Sequence, residues 1–233
     1  MKEQLKELYK ELFVIYNSFS DEQRQSVFSS MVGKRYMEND VRMMLVGRAV
    51  NGWPEEYDFS SAEEFSNCAM GYMNDSSRWE WVENNNGRLT AKGNSEYSLE
   101  RSRFWNYSRD IFNQLTNESE DDSRIWMDNI LWSNLYRLSP ENGNPGGRSQ
   151  KKQKEVCLKI LNAEMEYFKP THILFVTGYD WMFEDIRKKL TKISGKYVEA
   201  VGNLIGAKAV IVKRPERVGK EGYVKECIEA FRK

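Results

Sequence analysis

The chain has 233 residues, enough for one large domain or two small ones with a sizeable buried core. Its 35 basic residues balance its 35 acidic residues, so a nucleic-acid partner would be held by a local basic patch rather than by the overall field. Three widely spaced cysteines and one histidine exclude a disulfide framework, a cysteine-rich zinc site and a His-centred catalytic triad.

The N-terminal segment is charged and amphipathic over residues 1–16 and lacks the uninterrupted apolar stretch of a signal peptide. We expect a first long helix from about Glu3 to Met31, within an N-terminal segment of residues 1–31 that packs outside the main unit. No apolar run approaches the roughly 20 residues that span a bilayer. We therefore expect a cytoplasmic protein with reduced cysteines and no membrane partner.

Four short apolar segments predict buried parallel strands: residues 43–46, 130–132, 173–176 and 209–212. Each is bounded by polar or turn residues and is apolar without strict alternation, which is typical of strands covered on both faces. Segments with helical spacing lie between them and after the last one. Their apolar positions are Phe104, Ile111, Phe112 and Leu115; Val156, Ile160, Leu161 and Met165; Phe183, Ile186 and Leu190; and Val224, Ile228 and Phe231.

This alternation predicts a three-layer α/β/α fold with a central four-stranded parallel sheet. One segment interrupts it: residues 79–100 have weak periodicity and contain Asn84-Asn85-Asn86-Gly87, which predicts a surface loop or small hairpin. We find no convincing linker, so we expect a single domain over residues 1–233.

Ligands of open parallel sheets bind beyond the carboxyl ends of the strands. Polar, aromatic, Gly and Pro residues concentrate in the segments that follow the predicted strands, namely residues 47–54, 133–140, 177–180 and 213–217. Gly and Pro also form tight strand-to-helix turns, so this concentration has a purely structural interpretation as well.

These four segments, in this order, resemble the uracil-DNA glycosylase superfamily, closest to its thermostable iron–sulfur branch. The stretch from Ile130 to Pro140, continued by Gly143-Asn144-Pro145, is similar to the family's strand that ends in Asn and is followed by a Pro turn. The strand after Pro170 ends in Gly178, like a second family element. The resemblance implies that family's fold and hydrolysis of the N-glycosidic bond of a flipped uracil or related base in DNA.

The resemblance also implies roles for single residues. Asn134 matches the strand-end Asn that reads the uracil edge, and an amide suits this role because it has both donors and an acceptor. Gly47 opens the loop that corresponds to the water-activating motif. There Arg48 replaces the branch's Glu, and Val50 its Pro.

With that acid missing, Asn51 is the candidate to orient a water, and Glu55 or Glu56 to serve as a substitute acid. Each is also an ordinary turn or surface residue. Arg214-Pro215-Glu216 stands where the family has His-Pro-Ser or His-Pro-Ala. Arg214 either stabilises the developing anion of the base, binds a phosphate, or is a solvated charge, and the sequence leaves these readings open.

A flipped base needs a stacking platform, for which Trp53, Tyr57 and Phe59 are candidates, although tryptophans mostly belong to cores. Local phosphate contacts are expected from basic residues after the second strand and around the last helix, unless these are merely solvated faces. These residues are Arg148, Lys151, Lys152, Arg217, Lys220 and Lys225.

No cofactor or metal is expected, because the iron–sulfur branch needs four Cys ligands and only Cys157 falls near one of the family's positions. His172 precedes the third strand, at the wrong end of the sheet for catalysis. The sequence thus predicts a monomeric DNA glycosylase whose partner is DNA. The alternatives are a catalytically impaired nucleic-acid- or nucleotide-binding module of the same fold, and an unrelated small-molecule enzyme on a similar sheet.

Overall fold

A computed structural model describes residues 2–19, 25–50, 58–74, 89–91, 95–97, 102–117, 126–140 and 143–233. In chain order its helices and strands are α1 (Lys2–Tyr16), β1 (Gln25–Val27), β2 (Met31–Val32), β3 (Met43–Gly47), α2 (Ala62–Asn74), β4 (Leu89–Ala91), β5 (Ser95–Tyr97), α3 (Arg103–Thr116), β6 (Ile130–Asn134), β7 (Leu138–Pro140), α4 (Gly147–Phe168), β8 (His172–Phe175), α5 (Glu184–Arg187), β9 (Leu190–Lys192), β10 (Val198–Leu204), β11 (Ala207–Val212) and α6 (Lys220–Arg232). Short 3₁₀-helices span Tyr36–Glu38, Trp126–Asn129 and Tyr179–Trp181.

The main sheet has seven strands in the order β2-β6-β3-β8-β11-β10-β9. The four apolar segments predicted as strands lie in β3, β6, β8 and β11, which are neighbours and pair in parallel. Strand β2 joins one side of this group, and β10 and β9 the other, all in antiparallel pairing. The fold is therefore mixed α/β, and the expectation of a four-stranded sheet omitted its three antiparallel strands.

Successive side chains of each central strand enter opposite cores, because a strand alternates its side chains between the two faces. One core is formed with α1, α2 and α4 and takes Met44, Val46, Leu131, Ile173, Phe175, Ala209 and Ile211. The other is formed with α3 and α6 and takes Met43, Leu45, Ile130, Trp132, Leu174, Val176, Val210 and Val212. Helices thus cover both faces of the sheet.

The N-terminal helix is shorter than predicted, because α1 ends at Tyr16. Strand β1 pairs antiparallel with β7, and β2 with β6. Ser29 and Ser30 are poor helix formers, and the neighbouring Phe28 and Met31 are buried in the second core instead of on a helix face. The prediction of a helix continuing towards residue 31 was wrong.

The third predicted helix is also largely wrong, since α5 has only four residues and Leu190 begins strand β9. Phe183, Ile186 and Leu190 are nonetheless all buried, so the apolar positions were identified but not their element. In the 79–100 segment, β4 and β5 form an antiparallel pair, and the rest of it lies outside the described residues. None of the described helices is long and apolar enough to cross a membrane.

Candidate functional site

The carboxyl ends of the four parallel strands form one edge of the sheet. Gly47 and Asn134 are register partners at the ends of β3 and β6. Gly178 follows β8, and its N–H donates to the carbonyl oxygen of Val212, the last residue of β11, at 2.9 Å. Arg214 comes two residues later. The structure thus brings Gly47, Asn134, Gly178 and Arg214 to the same edge.

Asn134 has a buried side chain with an unused donor. The residue is 1% exposed, and its Nδ2 has no hydrogen-bond partner among the described residues. Leaving a buried donor unpaired costs about 1–3 kcal/mol, so such a group needs an explanation such as a ligand. Gly47 makes room for this amide, because a Cβ at that position would lie 2.3 Å from Asn134 Oδ1.

An aromatic ring lies beside this amide. A Cβ on Gly47 would lie 3.5 Å from Cε2 of Phe104, which is in the first turn of α3 and only partly buried. Its ring packs edge-on against Trp105, with 5.0 Å between the centroids. The sequence interpretation placed Phe104 on the buried face of a helix and missed it as a stacking candidate, because only the fold brings α3 next to β3.

Of the three residues predicted to form a stacking platform, only Phe59 lies among the described residues. Phe59 packs with Tyr16 and Phe65, at centroid distances of 5.7 and 5.0 Å, and these rings belong to the core formed with α1 and α2. Phe59 is only partly buried against this core, so its part in a stacking platform stays a prediction. Trp53 and Tyr57 lie outside the described residues, as do Asn51, Glu55 and Glu56.

Arg48 is held in place by the loop after β8. Its Nε donates to the carbonyl oxygen of Thr177 at 2.6 Å, and its guanidinium carbon lies 4.4 Å from the centre of the Trp181 ring. Its terminal nitrogens have no hydrogen-bond or ion-pair partner among the described residues. Burial, followed by the charge of Arg214, lowers the pKa of Arg48 to about 10, against the opposing effects of Glu216 and Glu199. Arg48 therefore remains a cation at neutral pH.

Arg214 lies on the surface at the same edge. Its Nη2 is 2.9 Å from Oε1 of Glu216, in a pair whose side chains are 42% and 66% exposed. Such an exposed pair contributes about 0–1 kcal/mol and exchanges readily for another anion. The position of Arg214 is compatible with each of the three roles considered for it.

Glu199 is an acidic group at this edge that the sequence interpretation missed. It lies on β10, a strand that was not predicted, and its Oε2 accepts a hydrogen bond from the Tyr179 N–H at 2.7 Å. The carboxylate is also close to Gly178, since a Cβ there would be 3.8 Å from Glu199 Oε2. Strand β10 alternates buried and partly exposed residues, so no continuous apolar run identified it.

The candidate phosphate-binding residues differ in availability. Arg148 lies in the first turn of α4, and Arg217 follows β11; both are exposed. Lys220 begins α6 and pairs with Asp110 of α3 at 2.5 Å, so part of its charge is already compensated. Arg103, which was not singled out, donates to the carbonyl oxygen of Pro215 at 3.4 Å and adds a basic group to this edge.

A buried polar network lies behind Asn134. Arg137 Nη2 is 2.6 Å from Glu164 Oε2 and 3.0 Å from Ser133 Oγ, and Ser133 Oγ donates to the same carboxylate oxygen at 2.7 Å. Both charged side chains are fully buried. Gln153 Oε1 accepts from the N–H groups of Arg137 and Leu138. These contacts anchor the turn after β6 to α4 and so fix the strand end that carries Asn134.

Metal-ligating and nucleophilic groups are sparse in the described part of the chain. It contains no group of three His, Cys, Asp or Glu side chains that could hold a metal ion. Cys157 is buried, which raises the pKa of its thiol to about 12. His172 begins β8, at the end of the sheet opposite Gly178, and burial lowers its pKa.

Comparisons with known proteins assign no family to the chain. No protein-family model matches it, and no curated protein matches its sequence. The functional conclusion therefore depends on the geometry of the carboxyl edge.

Proposed function

We propose that the protein is a uracil-DNA glycosylase-like repair protein, which binds a flipped damaged base at the carboxyl edge of its sheet and hydrolyses the N-glycosidic bond of that base. The observation that carries this proposal is the buried Asn134 amide beside Gly47, whose Nδ2 has no partner in the part of the chain that the structure describes. An amide provides a donor and an acceptor in one plane, which matches the O4 and N3–H groups of uracil.

The surrounding groups support a planar, partly apolar ligand. Phe104 offers a ring next to the amide, as the stacking of an extruded base requires. Arg214 supplies a positive charge at the same edge, which would stabilise the anion that develops on the leaving base. Water activation would fall to Asn51 with Glu55 or Glu56. The finer part of the fold proposal is that the sheet and helices follow the topology of that superfamily.

A second candidate function is a catalytically impaired module that binds a nucleic acid or nucleotide. The observation that favours it is Arg48, which occupies the position of the branch's acid and stays protonated at neutral pH. A guanidinium cannot act as a general base there. The two functions therefore share the base-binding amide and differ only in turnover.

Incubation with oligonucleotides that contain uracil, hypoxanthine or xanthine, followed by alkaline cleavage of any abasic site, distinguishes the two functions. Strand cleavage identifies the glycosylase, and binding without cleavage identifies the module. In either case, Asn134→Ala should weaken binding by about 1–3 kcal/mol. Asn203→Ala, at an exposed position on β10, is the matched control and should have no effect. The absence of binding to every substrate would refute the proposal.

A further inference from the structure

Two arginines lie at the carboxyl edge, and no acidic side chain among the described residues forms an ion pair with both. Arg214 is close enough to Arg48 for its charge to help lower the pKa of Arg48. Neighbouring like charges disfavour each other unless an anion compensates them. Arg214 has Glu216, but Arg48 has no ion-pair partner among the described residues.

Arg48 is oriented in advance for binding. Its Nε donates a hydrogen bond to the Thr177 carbonyl oxygen, and its guanidinium group packs over the Trp181 ring. Within the described residues, this leaves the terminal nitrogens as unpaired donors beside Gly178, where a Cβ would lie 3.2 Å from Nη2. A fixed guanidinium with free terminal donors matches the oxygens of a phosphate group.

The neighbouring carboxylates do not remove the need for an anion. Glu199 accepts the Tyr179 N–H, and Glu216 is exposed and paired with Arg214. Both carboxylates affect the pKa of Arg48 only through their charge, and burial remains the largest effect on that pKa. An incoming phosphate would replace Glu216 as the partner of Arg214, so Glu216 is a competitor for the site.

The base site and this pair are adjacent in the fold. Asn134 is the register partner of Gly47, and Arg48 directly follows Gly47 in the chain. The backbone carbonyl of Arg48 also accepts the N–H of Tyr136, two residues beyond Asn134. A nucleotide, which carries a base and a phosphate on one sugar, is the class of ligand that would contact both the amide and the guanidinium.

We propose that Arg48 and Arg214 bind the phosphate of the nucleotide whose base contacts Asn134. The identity of the base rests on the proposed function, whereas the anion site does not. The phosphate comes either from a free nucleotide or from a phosphodiester of a DNA strand, and the chemistry of recognition is the same in both cases.

Calorimetric titration with deoxyuridine, deoxyuridine monophosphate, inorganic phosphate and a trinucleotide with a central deoxyuridine tests this inference. The wild-type protein should bind the monophosphate or the trinucleotide at least about tenfold more tightly than deoxyuridine, as expected for a charge-assisted hydrogen bond. Arg48→Gln should abolish this difference without changing deoxyuridine binding. Glu216→Gln should strengthen phosphate binding, and Arg232→Gln, at the far end of α6, should change nothing.

Equal affinities of the wild type for deoxyuridine, its monophosphate and the trinucleotide would overturn the anion site and leave the base site intact. Failure of the proposed function looks different: Asn134→Ala would then have no effect, while inorganic phosphate would still bind through Arg48. Tight binding of the monophosphate alone assigns the site to a free nucleotide, and tight binding of the trinucleotide assigns it to DNA. If Arg48→Gln does not fold, the exposed Arg214→Gln serves as the test, and an unchanged preference for the phosphorylated ligands would overturn the inference.

Discussion

Asn134 keeps its buried position only because residue 47 has no side chain. A Cβ there would lie 2.3 Å from Asn134 Oδ1, so we expect Gly47→Ala to displace the amide and to weaken nucleobase binding as much as Asn134→Ala does. Titration with deoxyuridine measures this. Gly146→Ala is the control, because a Cβ at that glycine meets nothing within 4 Å. Unchanged binding in Gly47→Ala would show that the amide does not contact the base.

A second prediction about single residues concerns the contribution of the Arg137–Glu164 pair to stability. Both side chains are fully buried, so Glu164→Gln leaves an unpaired charge and should lower the free energy of unfolding by about 3–5 kcal/mol in urea titrations. The control is Glu184→Gln, which breaks the exposed pair with Lys188 and should leave the free energy of unfolding nearly unchanged. Replacing both buried partners with apolar residues should cost less than Glu164→Gln alone. Similar losses in the two single variants would contradict the burial of this pair.

The sequence identified only part of the candidate site, namely the residues whose positions follow from the strand that they end. Gly47 and Asn134 directly end apolar segments, so their position at the sheet edge follows from the strands alone. The roles of Arg48, Phe104 and Glu199 depend on contacts with Trp181, Gly47 and Tyr179, which are distant in sequence. A local sequence pattern does not predict contacts between residues that lie so far apart in the chain.

At the scale of elements, the hairpin between β10 and β11 carries a strained residue. Ile205 has a φ of 46° and is followed by Gly206 with a φ of 87°. A β-branched residue is disfavoured in this left-handed region by about 1–2 kcal/mol, whereas Asn-Gly is the preferred sequence for such a turn. Because Ile205 is exposed, Ile205→Asn should stabilise the protein by about 1 kcal/mol in urea unfolding.

The exposed Ile193 provides the control for this prediction, since it lies outside the turn and Ile193→Asn should give no comparable gain. Equal or lower stability of Ile205→Asn would show that the turn does not adopt this conformation in solution.

The central elements of the fold could be predicted because their burial is continuous in sequence. Strand β3 is buried at all five positions, and the inward faces of α4 and α6 repeat at helical spacing. Strands β1, β2 and β9 have only two or three residues and depend on pairing partners elsewhere in the chain. Such short segments have no period of their own, which is why β1 and β2 were assigned to a helix.

At the scale of the whole molecule, balanced charge limits how DNA can bind. The 35 basic and 35 acidic residues leave no net attraction, so affinity would depend on the few cations at the carboxyl edge. Each phosphate neutralised on a single strand contributes about −0.7 to the slope of log affinity against log salt concentration. Arg48 and Arg214 together bind one phosphate, which predicts a slope of about −0.7 for a uracil-containing single strand.

Arg214→Gln should make the slope shallower than about −0.7, because the shared phosphate then keeps only one of its two cations. Arg232→Gln should leave it unchanged, since that residue lies at the opposite end of α6. Fluorescence anisotropy of a labelled oligonucleotide over a range of salt concentrations measures all three slopes. If Arg148 and Arg217 each bind a further phosphate, as the basic segments of the sequence suggest, the wild-type slope would instead be about −2.1. That steeper value would contradict recognition through two arginines and would extend the binding surface to the start of α4.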